Sequence, residues 1–118
     1  MSNMTNYLAK VLEVPVEKLS LCTIKYETKK VSKGEFLLQH GEVCRSTFFV
    51  EKKIQKMYSS DKNGKEHIIQ FAPENWLIGD RSSLYFNEKS NYYVEAVEDS
   101  EVKILHRDFI KNLLEEIP

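Results

Sequence analysis

The 118 residues suffice for one hydrophobic core and leave too little chain for a second. A hydrophobic fraction of 42% and a charged fraction of 30% are those of a globular domain and exclude intrinsic disorder. The net charge of -1 removes the clustered cationic surface that phosphate neutralisation requires, so this chain by itself is not expected to grip nucleic acid.

Residues 1–12 are too short and too polar for a signal peptide, and no apolar run reaches the length of a bilayer span, so no membrane association is expected. Two cysteines, Cys22 and Cys44, are too few for a disulfide scaffold and read as reduced thiols of a cytoplasmic protein. Without repeats, low-complexity runs or linkers, residues 1–118 read as a single module. It divides into a helical lead-in over about 5–22, a barrel over about 23–105 and a C-terminal helix over about 107–117.

The lead-in opens with Asn6, a residue suited to cap a turn that places Tyr7, Leu8, Val11 and Leu12 on one face. Pro15 then starts a second short helix carrying Val16 and Leu19. From Cys22 onward apolar residues alternate or come in short runs rich in β-branched and aromatic types. Strands are predicted at 23–26, 35–38, 47–50, 54–58, 68–71, 92–97 and 102–105. Turn chemistry separates them at Lys33-Gly34, His40-Gly41, Asp61-Lys62-Asn63-Gly64, Pro73-Glu74-Asn75 and Glu98-Asp99-Ser100. Asn63-Gly64 reads as a type I′ turn with positive φ at both residues. In the strand over 92–97, Tyr92, Val94 and Ala96 share one face, while Tyr93 and Glu95 share the other. The helical period returns after Leu105, where Phe109, Ile110, Leu113, Leu114 and Ile117 form an apolar stripe. Short strands at regular spacing between terminal helices predict a mainly β fold, an antiparallel jelly-roll barrel.

Catalytic chemistry has no cluster to stand on. His40, His67 and His106 are far apart, whereas a metal site on a jelly roll calls for two histidines close together on one strand. Two cysteines fall short of the four that hold an iron–sulfur cluster. Ser82-Ser83 lacks the glycine frame of a nucleophile elbow, and no phosphate-cradling P-loop is present. No enzyme activity, metal or cofactor is expected.

Three blocks over residues 31–105 resemble the cyclic-nucleotide-binding domain of Crp/Fnr-type transcription regulators. Gly34-Glu35-Phe36-Leu37-Leu38-Gln39-His40-Gly41-Glu42 is similar to the family's Gly-Glu-x-Leu-x-x-x-Gly-Glu, whose glycines turn the chain between strands. Phe48-Phe49-Val50-Glu51 and then Asn63-Gly64-Lys65-Glu66 resemble the next hairpin. Asn75-Trp76-Leu77-Ile78-Gly79-Asp80, followed by Tyr93-Val94-Glu95-Ala96, brackets the family's phosphate-binding cassette. The specificity lies in the joint order of the blocks, since each alone is common.

The resemblance implies how a cyclic nucleotide would be held. In members that bind one, a Gly-Glu pair opens a short helix, the Glu takes the ribose 2′-hydroxyl, and an Arg followed by Ser, Thr or Ala holds the phosphate. Gly79 matches the glycine, and Asp80 stands for the Glu with one methylene fewer. Counting back from Val94 and Ala96, the Arg position falls on Ser90 and its follower on Asn91, so the cation is missing. Lys89 could take its role only if the cassette carried one extra residue, and Arg81, at the start of the cassette helix, is a second candidate for it. The candidate ligand-binding residues are therefore Gly79, Asp80, Arg81, Ser82, Ser83, Lys89, Ser90 and Asn91. Gly79, Asp80, Arg81, Ser82 and Ser83 are expected to form a short helical turn facing a shallow cavity between Ile78 and Ser90, and if a phosphate binds, Arg81 or Lys89 must supply the charge.

Two turn positions depart from the family. Lys53 stands at a turn glycine, and Asn75 replaces another at little cost because Asn enters the left-handed region readily. The implied function is a regulatory effector-sensing domain for a small anionic or nucleotide effector, with cyclic AMP disfavoured by Ser90. Homodimerisation is expected in a full-length protein, and DNA contact only through a C-terminal helix-turn-helix absent from this chain. The alternative is a ligand-free interaction or dimerisation module on the same barrel.

Overall fold

A computed structural model describes residues 3–13, 15, 17, 26–109 and 115, and ten elements are delimited among them. They are α1 (Asn3–Leu12), β1 (Glu27–Val31), β2 (Phe36–Leu38), β3 (Ser46–Lys52), β4 (Gln55–Ser60), β5 (Glu66–Ala72), β6 (Leu77–Ile78), α2 (Arg81–Phe86), β7 (Tyr93–Ala96) and β8 (Ser100–His106). Two four-stranded sheets face each other, one ordered β1-β8-β3-β6 and the other β2-β7-β4-β5. The antiparallel pairs β1–β8, β2–β7, β3–β6 and β4–β5 are nested about a single hairpin, so the chain is in effect one long hairpin rolled into a barrel.

Side-chain alternation explains the layers. On β3, Phe48 and Val50 join Leu38, Met57, Ala72, Ile78 and Val94 between the sheets. Phe49 points the other way, where Met4, Leu8 and Ala9 of α1, with Leu105 and Phe109, cover that face of the sheet. Strand β3 is thus buried on both sides, which is why its pattern is continuous rather than alternating. Val31, Ala96 and Val102 close the interior at the far end. On β7, Val94 and Ala96 are buried and Tyr93 and Glu95 lie on the opposite face, in the predicted alternation. No helix among the described residues is long and apolar enough to cross a membrane.

Several sequence expectations need correction. Helix α1 begins at Asn3, so Asn6 lies inside it and does not cap it, and Val11 faces solvent. The buried face of α1 is built on Met4 and Leu8 instead. The sheet starts with β1 at Glu27, four residues after the expected start; the predicted strand over 23–26 falls outside the described residues except for Tyr26, which is not in a strand. Cys22, Val16 and Leu19 are also outside them, as are Ile110, Leu113, Leu114 and Ile117 of the predicted C-terminal stripe.

Turn geometry separates the three predictions made for it. Gly34 and Gly41 have φ of 85° and 92°, the left-handed backbone that their place in the Gly-Glu block implies. Lys53 and Asn75 take φ of 72° and 73°, so lysine occupies a glycine conformation at the β3–β4 turn. The central hairpin, however, is not type I′. Of Asn63 and Gly64 only Gly64 has positive φ, and its N–H donates to Asp61 O at 3.0 Å. This is a type I turn with a left-handed glycine after it, and the Asp61 carboxylate stabilises it by accepting from the N–H groups of Asn63 and Lys65.

Candidate functional site

All eight candidate residues fall on α2, its entry and the segment leading into β7, but only some converge. Asp80 is the N-cap of α2, with φ -91° and ψ 99° and its Oδ1 accepting from Ser83 N at 3.2 Å. An aspartate suits this position because the first turn of a helix leaves N–H groups without partners. At the other end Asn87 caps the helix in a left-handed conformation.

The second oxygen of Asp80 meets Ser90. The Ser90 hydroxyl donates to Asp80 Oδ2 at 2.7 Å and accepts from Tyr92 N at 3.1 Å, and both residues are buried. Ser90 is held in place by its backbone as well, its N–H donating to Glu42 O and its carbonyl accepting from Gly41 N. Ser83 completes the arrangement from within α2: its Oγ accepts from Cys44 N at 2.8 Å and donates to Glu88 O. The Cys44 thiol is buried, and burial pushes it above its ordinary range, away from the reactive thiolate.

The electrostatic result is a seat already filled. The carboxylate of Asp80 stands where the resemblance puts the ribose-binding acid, and the Ser83 N–H and Ser90 O–H, beside the expected phosphate position, are spent on it. A phosphate brought here would find no free donor among these groups and would meet a buried like charge. Arg81, Ser82, Lys89 and Asn91 are exposed, and the backbone of Lys89 pairs with that of Val43 in an isolated antiparallel bridge. Gly79 has no positive φ, and a Cβ there would meet Ser46 O at 3.5 Å, an ordinary contact.

Beside this seat opens a cavity of about 770 Å³. Ile78, Gly79, Asp80, Arg81 and Ser82 line one wall, but neither Ser90 nor Lys89 does. The opposite wall comes from α1 and from the end of β8, including Leu8, Leu12, Leu105 and Arg107. The sequence carries no signal for this second wall, because it forms only when α1 docks across the sheet that ends in β8. Among the described residues no group of histidine, cysteine, aspartate and glutamate side chains is arranged to hold a metal ion.

Comparison with known proteins places this geometry in context. Residues 28–117 match the family model described as cyclic nucleotide-binding domain. The fold is similar to that of the catabolite activator protein of Thermus thermophilus, with 20% identity and a TM-score of 0.71 over 86% of this chain and 47% of that one. The sensor domain of the transcriptional regulator DNR from Pseudomonas aeruginosa aligns over 97% of this chain and 79% of its own, at 14% identity and a TM-score of 0.71. Oxidized CprK in complex with o-chlorophenolacetic acid aligns at 24% identity and a TM-score of 0.63, over 86% of this chain and 41% of that one. The chain therefore spans less than half the length of the Thermus protein and of CprK, and at these identities the likeness establishes the fold alone. No curated protein matches the sequence.

Proposed function

Because the chain belongs to the cyclic nucleotide-binding domain family, we propose that it is the non-enzymatic effector-sensing domain of a Crp/Fnr-like transcription regulator whose cyclic-nucleotide seat is closed. The observation that carries this reading is the buried 2.7 Å bond from Ser90 Oγ to Asp80 Oδ2. In this reading Ser90 stands at the family's cation position, and Asp80, the counterpart of the ribose-binding acid, serves as an internal helix cap. Residues 1–118 act as one sensory module, and the regulatory output, with homodimerisation and DNA contact, belongs to the full-length regulator. An effector other than a cyclic nucleotide then biases two arrangements of that output. One structural neighbour, CprK, is described in complex with an aromatic acid.

A second reading, an interaction module without a ligand, draws on Tyr85 and Phe86, which leave α2 at 72% and 70% exposure. Titration calorimetry with cyclic AMP and cyclic GMP tests the closed seat. The expected result is no binding to the native chain, and weak binding once Ser90→Arg and Asn91→Ser restore the family pair. Tight binding of cyclic AMP to the native chain, undiminished by Arg81→Ala or Lys89→Ala, would overturn the proposal.

A further inference from the structure

The cavity beside the closed seat is itself equipped to bind, and its chemistry differs from that of a nucleotide site. Its volume of about 770 Å³ is that of a pocket for a drug-sized molecule. The interior surface is mostly hydrocarbon and aromatic, with Leu8, Ile78, Leu84 and Leu105 on its walls and Tyr85 and Tyr92 among the lining rings. Such a surface gains by removing an apolar body from water and offers little to a ribose or a polar base.

Cations outnumber carboxylates on the cavity lining. Arg81, from the first turn of α2, and Arg107, just beyond β8, both line it, and neither has an ion-pair partner among the described residues. Of the neighbouring carboxylates, Asp80 is buried and accepts from Ser83 N and Ser90 Oγ, while Asp108 is exposed, with its Oδ2 3.8 Å from His106 Nδ1. Two exposed cations, Arg81 and Arg107, thus stand against one buried carboxylate, Asp80, on a mostly apolar lining that also carries Gln70, Ser82 and His106. A guanidinium offers a planar pair of donors that fits a carboxylate.

We infer that the cavity bounded by α1, α2 and the end of β8 binds an organic carboxylate, an apolar body ending in one carboxylate held by Arg81 and Arg107. This rests on the reading of the domain as an effector sensor and names the class of effector. The apolar part fills the space between Leu8, Leu84 and Leu105, and the carboxylate replaces water at the two arginines. Nothing in this pose requires the Asp80–Ser90 bond to open, so the ligand sits beside the closed seat and not in it.

The test is calorimetric titration of the 118-residue chain with 4-phenylbutyrate, with decanoate, with 4-phenylbutyramide as neutral isostere and with cyclic AMP. Binding of 4-phenylbutyrate with its amide at least about tenfold weaker, or binding of decanoate that the double arginine variant weakens at least about tenfold, supports the inference, a factor equal to about 1.4 kcal/mol. The two acids separate an aromatic from a fatty body. Arg81→Gln with Arg107→Gln, both at exposed positions, is expected to erase the advantage of acid over amide while leaving the thermal midpoint in place. Failure of both acids to bind at millimolar concentration, equal binding of acid and amide, or an advantage untouched by the double variant overturns it. Cyclic AMP keeps the two proposals apart: tight cyclic AMP binding contradicts the closed seat, while silence from all four compounds contradicts only the carboxylate site.

Discussion

Gln55 is the residue whose chemistry fits its place least well. It is fully buried on β4, facing the barrel interior beside Ala72 and Ala96, and neither its amide oxygen nor its nitrogen has a hydrogen-bond partner among the described residues. Such a group costs about 1–3 kcal/mol relative to an apolar one of the same shape. Gln55→Met, nearly equal in length, is therefore expected to raise the unfolding free energy by about 1–3 kcal/mol in urea denaturation. An unchanged midpoint would mean that the amide is satisfied inside the barrel. Tyr58 is the opposite case, a buried polar group with a partner: its hydroxyl donates to Glu95 Oε1 at 2.6 Å. Burial, reinforced by Glu95, raises the phenol above its ordinary range. Because the folded value is the higher one, this contribution is fully present below about pH 10, the unfolded phenol's range, and is lost as pH rises from there toward the folded value. Tyr58→Phe should accordingly flatten the alkaline fall in stability, measured as unfolding midpoint against pH. A fall as steep as that of the native chain would assign it to other groups.

The β4–β5 hairpin shows how much of an element the sequence can specify. Its position and its glycine were legible, but its turn type was not, because Asn-Gly satisfies both a type I′ turn and a type I turn with a following left-handed glycine. Asp61 tips the choice by holding the N–H groups of Asn63 and Lys65 on one carboxylate. Gly64→Val, forcing a β-branched residue to φ near 80°, should lower stability by about 1–2 kcal/mol or more. Asn63→Gly should bring no gain in the same denaturation assay, since Asn63 is not left-handed; equal sensitivity at both positions would restore the type I′ assignment. Other misses have similar causes. Strand β1 was overlooked because Lys29 and Lys30 leave Val31 as its one buried apolar residue, and its place in the sheet comes from pairing with β8. At the candidate site, Gly79, Asp80 and Ser90 could be picked out from the order of the motif blocks. That Ser90 bonds to Asp80 could not, since it depends on how the segment entering β7 packs beside α2. Arg107 was missed as a cavity residue because nothing local in the sequence says that α1 and the end of β8 share a wall with α2.

For the whole molecule, the organising fact is the nesting of four strand pairs about one hairpin, with α1 laid over the outer face of the β1-β8-β3-β6 sheet. This nesting sets an order of events during synthesis. The β4–β5 hairpin is local and can form in about 1–10 μs once its residues are free. Strand β1 must wait for β8, whose first residue lies roughly 70 positions later, a delay of several seconds at about 5–20 residues per second. Throughout that interval β1 and β3 both lack the strand that will lie between them, and their unpaired backbone is open to other chains. A ribosome-arrested chain whose emerged portion stops short of Ser100 is therefore expected to stay protease-sensitive through β1 and β3, and one whose emerged portion includes His106 to become resistant. Resistance gained before β8 emerges would show that the inner pairs alone close the barrel. The newborn chain is thus most exposed to association with its neighbours just before its last strand arrives.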